Sequence, residues 1–117
     1  MAVAIAEDIR RAGSIVVPAH FEADAYAGLR RMVNRGTVKR EDLPVAIRLL
    51  THMTGERVPL AALLGQAYEL FDRVGAHDVF YVVAAREWDC ALLTVDGPLA
   101  RAADSLGVRV LYHDAQK

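Results

Sequence analysis

Short apolar runs alternate with longer stretches of helical periodicity along the chain, and this alternation limits the fold more than any other feature. Ile15-Val16-Val17, Arg57-Val58-Pro59, Ala91 to Thr94 and Val108 to Tyr112 read as strands. Between them, helices are expected over Ala4 to Arg11, Phe21 to Asn34, Glu41 to Met53, Leu60 to Val74, Val79 to Glu87 and Pro98 to Leu106. The strands are apolar along their length, as strands covered on both faces must be. That favours an α/β sandwich with a mostly parallel central sheet flanked by helices.

Boundary residues set the helix limits. Gly13, Gly36 and Gly107 close helices, and Pro44 and Pro98 fall in first turns, where a missing N–H costs least. Gly75 is expected to cap the helix ending at Val74, with Leu63, Leu64, Ala67, Leu70 and Phe71 facing inward. Val79 to Ala84 has strand propensity. It is assigned to a helix because it continues through Arg86 and Glu87 and because Asp78 stands where an N-cap belongs.

The 117 residues suffice for one domain, 1–117, and 54% of them are hydrophobic, enough for a real core. No apolar run approaches the roughly 20 residues of a membrane span. The N-terminus lacks a signal-peptide pattern, and the single cysteine, Cys90, reads as a small core residue of a reduced protein. A cytoplasmic location is the expectation. The net charge of −1 does not advertise nucleic-acid binding, but residues 29–40 carry Arg30, Arg31, Arg35, Lys39 and Arg40 without an acid. That segment is either a contact for RNA phosphates or for an acidic partner, or a solvated basic face.

In open parallel sheets, functional groups gather beyond the carboxyl ends of strands. Asp24 lies one turn into the helix after the first strand, Asp78 precedes a helix, and Asp96 follows the strand ending at Thr94. Carboxylates brought together repel one another, which favours a cation among them, and oxygen donors suit Mg²⁺ or Mn²⁺. Such ions promote phosphodiester hydrolysis. Equally, Asp78 reads as an N-cap, Asp96 as a turn residue and Asp24 as a solvated helix position. Thr94 is either a support for such a site or a satisfied strand-end hydroxyl. His20, Asp24 and His77 could form a transition-metal site, although no His or Cys spacing supports one. His52 and His113 read as surface residues, and Trp88 and Tyr81 as core or interface aromatics.

Four segments in order resemble the PIN-domain family, specifically VapC-type toxins. They are Val17-Pro18-Ala19 followed by Asp24 and Gly28-Leu29-Arg30-Arg31; His77-Asp78-Val79-Phe80-Tyr81-Val82-Val83-Ala84; Leu92-Leu93-Thr94-Val95-Asp96 with Leu99-Ala100; and Gly107-Val108-Arg109-Val110. The resemblance implies a PIN-like three-layer sandwich and a Mg²⁺-dependent endoribonuclease of a toxin–antitoxin system. It also implies a homodimer held inactive by a cognate antitoxin, with Asp24, Asp78 and Asp96 at the acidic positions.

Two departures stand out. The family has Glu where Asp24 stands, and the neighbouring Glu22 is about 200° away around the helix, so the two cannot serve one site. The family's first strand, ending in an Asp, has no counterpart here, and Asp8 lies in a helix instead. The resemblance therefore leaves a second reading open, a catalytically impaired binding protein that keeps the dimer and antitoxin surfaces. Oligomerisation or strand exchange would then compensate for the absent strand.

Overall fold

The computed structural model describes residues 2–114. Six α-helices alternate with four short strands: α1 (Ala2–Ala12), β1 (Val16–Pro18), α2 (Phe21–Asn34), α3 (Leu43–His52), β2 (Glu56–Val58), α4 (Leu64–Glu69), α5 (Val79–Glu87), β3 (Leu92–Thr94), α6 (Gly97–Ser105) and β4 (Val110–Tyr112). Short 3₁₀ turns, Arg40–Asp42 and Leu60–Leu63, lead into α3 and α4.

The strands pair in parallel, as the apolar runs predict, but they form two pairs and not the expected single sheet. β1 pairs with β2, Val17 opposite Arg57; β3 pairs with β4, Leu93 opposite Leu111. No ladder joins β1 to β3 among the described residues. α5 packs against both and holds the pairs together, while α6 covers β3 and β4.

The centrality of α5 explains its composition. A helix apolar on all sides belongs in an interior, and Val79, Val82, Val83, Ala84 and Ala85 are all buried. They form one core with Val58, Leu63, Ala67, Leu70, Leu92, Leu99, Ala103 and Val108. The helix ends in an αL residue, Asp89 at φ 49°, and the Cys90 N–H returns to the Ala85 carbonyl at 3.0 Å. Glycine is the usual occupant of that position. Cys90 packs against the core as expected, and burial pushes its thiol pKa up.

The long helix expected over residues 60–74 is a correction. It divides into the 3₁₀ turn and α4, and residues beyond Glu69 continue as turns, so Gly75 caps no helix. The segment carries two apolar stripes about 100° apart, and only one can face the core. Leu63, Ala67 and Leu70 are buried, whereas Leu64 is 57% and Phe71 74% exposed. α2 and α3 bury no residue completely, and Val45 and Leu49 of α3 stand in solvent. The molecule is accordingly elongated, 42 × 27 × 26 Å. No helix among the described residues is long and apolar enough to cross a membrane.

Candidate functional site

Asp24 occupies the centre of a cluster assembled from two distant segments. It sits in the first turn of α2, where the positive end of the helix dipole favours a carboxylate. Across from it, the first turn of α5 brings the Tyr81 hydroxyl, which donates to Asp24 Oδ2 at 2.9 Å. His20 Nε2, at the N-cap of α2, lies 3.3 Å from Oδ2, and His77 Nδ1 lies 3.8 Å from Oδ1. His20 Nε2 is also 3.1 Å from the His77 carbonyl oxygen. Its ring is confined by Phe80, Tyr81 and a stacked His77, at centroid distances of 5.5, 5.0 and 6.1 Å.

Burial of the Tyr81 phenol, followed by its bond to the Asp24 carboxylate, holds its pKa far above the ordinary tyrosine value. It is therefore a permanent donor to Asp24. The apolar run containing Tyr81 gave no sign of this role, because the phase of α5 relative to α2 is set only by packing.

Asp78 stands at the N-cap position of α5, but its side chain makes no cap hydrogen bond. The capping explanation for this residue is thereby removed. Burial raises its carboxyl pKa, and the negative charges of Asp96 and Asp24 raise it further, against a smaller opposite effect of His77. Asp24 and Asp96, 72 positions apart in sequence, thus both act on Asp78, while the ligand atoms gathered within 4.8 Å of one another among the described residues are those of His20, Asp24 and His77.

Asp96 has a second task. Its Oδ1 accepts the Leu99 N–H at 3.1 Å as the N-cap of α6, and Thr94 Oγ1 accepts the Asp96 N–H at 3.0 Å. These two bonds close the turn that carries Asp96. A carboxylate has about four lone-pair sites, so capping leaves Asp96 able to hold a cation.

Other candidates fall elsewhere. Glu22 pairs with Arg57 at 2.6 Å, and that hydrogen bond lowers its pKa. Its carboxylate is thus engaged by Arg57, although its charge still acts on Tyr81. Asp8 pairs with His113 at 2.6 Å, 105 residues away, tying α1 to the end of β4. This corrects the surface reading of His113, whose side chain is only 20% exposed. Arg30, Arg31, Arg35, Lys39 and Arg40 are all exposed. Trp88 ends α5, partly exposed.

What the fold and site define is an α/β protein with short parallel strands and a mixed carboxylate–imidazole cluster beside them. In sequence it is similar to Ribonuclease VapC3 of Mycobacterium tuberculosis (strain CDC 1551 / Oshkosh), 34% identical over 85 residues, 73% of this chain. The same protein from strain ATCC 25618 / H37Rv matches equally. The chain spans 62% of the length of these curated relatives. No family model and no solved structure matches it.

Proposed function

We propose that this chain is a single PIN-like domain of a VapC-type toxin, a Mg²⁺-dependent endoribonuclease acting in the cytoplasm, with Mn²⁺ as a substitute ion. The observation that carries the reading is the similarity to Ribonuclease VapC3 over 73% of this chain, beside an Asp78 whose proton affinity is raised first by burial and then by the charges of Asp96 and Asp24. Carboxylates in that condition repel one another, and a hard divalent ion among them relieves the repulsion. Oxygen donors of this kind suit Mg²⁺, and the similarity to a protein named a ribonuclease supplies the substrate class.

Each residue has an assigned part. Asp78 and Asp96 hold the ion, with Asp96 oriented by Thr94 and by its cap bond to α6. Asp24, fixed by Tyr81, completes the cluster and orients the attacking water by accepting its hydrogen bond. When bound, the ion supplies charge neutralisation at the scissile phosphate and eases deprotonation of water. The exposed Arg30, Arg31 and Arg35 offer phosphate contacts. The exposed apolar residues of α3, Val45 and Leu49, offer cover for a second protomer or the antitoxin.

A second reading has its own observation. Two strand pairs with no ladder between them among the described residues, both packed on α5, are what a sheet lacking a central member would leave. That favours a catalytically impaired binding protein. Incubating fluorogenic RNA with the protein in Mg²⁺, Mn²⁺ or EDTA, with Asp78→Asn alongside, separates the two. The nuclease reading expects metal-dependent cleavage that the substitution abolishes. Equal traces with and without metal would sink it and leave the binding protein.

A further inference from the structure

The acidic cluster does not use the two imidazoles beside it. We propose that His20, Asp24 and His77 form a binding site for a divalent transition ion of the zinc or cobalt type, adjoining the acidic cluster and sharing Asp24 with it. The site does not rest on the nuclease reading.

The ligand atoms of these three residues all lie within 4.8 Å of one another. Ligands around one zinc ion, each bonded at about 2.0–2.1 Å, stand roughly 3.3 Å apart in a tetrahedron. The His20–Asp24 distance, 3.3 Å, already meets this, and the Asp24–His77 distance, 3.8 Å, is close. The remaining adjustment falls on His77, whose side chain is 82% exposed. The other two are held: His20 between aromatic rings, and Asp24 by the Tyr81 hydroxyl. An outer partner that orients a ligand in this way is a regular feature of metal sites.

Donor chemistry sets the class of ion. Two imidazoles with one carboxylate suit zinc, cobalt, nickel or copper, whereas magnesium prefers oxygen alone. Three protein ligands leave a coordination position for water. Binding requires His20 Nε2 to be unprotonated, which moves the ring proton to Nδ1. Nδ1 is buried and has no partner in either tautomer. The exchange turns one unpartnered buried acceptor into an unpartnered donor and takes the Nε2 donor from the His77 carbonyl, a solvent-exposed contact that water can replace.

The test uses the full chain freed of metal, without RNA. Cobalt(II) is titrated while visible absorption is followed, and zinc(II) is titrated by calorimetry. Wild type is compared with His77→Ala, His20→Asn and Asp96→Asn, and circular dichroism checks folding. His77→Ala keeps the fold because that side chain is exposed.

The expected result is one ion per chain and intense low-symmetry cobalt bands that zinc abolishes. Affinity falls at least tenfold in either histidine variant, and the cobalt bands persist in Asp96→Asn. Weak octahedral bands in wild type would overturn the proposal, as would zinc affinity unchanged in His77→Ala. Binding lost in Asp96→Asn but kept in both histidine variants would also overturn it. That outcome would leave the nuclease reading standing, and failure of RNA cleavage would leave this site standing.

Discussion

Replacing Tyr81 by Phe isolates one hydroxyl and leaves the aromatic packing in place. The hydroxyl donates to Asp24 Oδ2 at 2.9 Å in a half-buried setting. A hydrogen bond to a charged group contributes about 1.5–3 kcal/mol. The Asp24 side chain is 34% exposed, so water replaces part of what is lost. We expect a destabilisation of about 1 kcal/mol, or a Tm lower by about 4 °C for a domain of this size. A double-mutant cycle with Asp24→Ala, followed by urea unfolding, assigns the loss to the pair, with a coupling of about 1 kcal/mol. Under the nuclease reading the same substitution frees Asp24 to rotate, and cleavage falls about tenfold, the usual cost of losing an orienting partner. A coupling below about 0.3 kcal/mol, with cleavage unchanged, would refute both the bond and its orienting role.

Asp78→Asn is expected to abolish cleavage while raising stability at neutral pH, measured by thermal melts across pH. The carboxyl pKa of Asp78 is raised above 3.8 in the folded state. The folded state therefore binds the proton more tightly, and stability falls as pH rises through that window. The advantage of the Asn variant should be present above the raised value and vanish below 3.8, and Mg²⁺ should restore the wild type more than the variant. Leu63→Ala, at a side chain 1% exposed, should cost about 2–5 kcal/mol in urea unfolding. Asp89→Gly should stabilise by up to about 1 kcal/mol by relieving a left-handed backbone, seen as a higher Tm.

Part of the candidate site was legible in the residues: strand-end logic and the family resemblance both pointed to Asp24, Asp78 and Asp96 as candidates, and the charges of Asp96 and Asp24 do act on Asp78. Tyr81 was not legible as a site residue, because one apolar run gives no measure of which side faces another helix. The bond between Thr94 and the Asp96 N–H was likewise not legible in the residues. The pairing of His113 with Asp8 crosses 105 residues, and no local pattern encodes it.

The alternation of apolar runs with helical periodicity, and the glycines and prolines at their ends, by themselves determined the order of strands and helices. These are short-range matters of backbone sterics and side-chain spacing. Only tertiary packing decided that Leu64 and Phe71 lie outside while Leu63 and Leu70 lie inside, since two apolar stripes compete for one core. Packing also decided that the strands divide into two pairs on α5, and that two imidazoles and a phenol converge on Asp24. Burial and electrostatics depend on which distant segments meet, and a linear pattern carries no such distances.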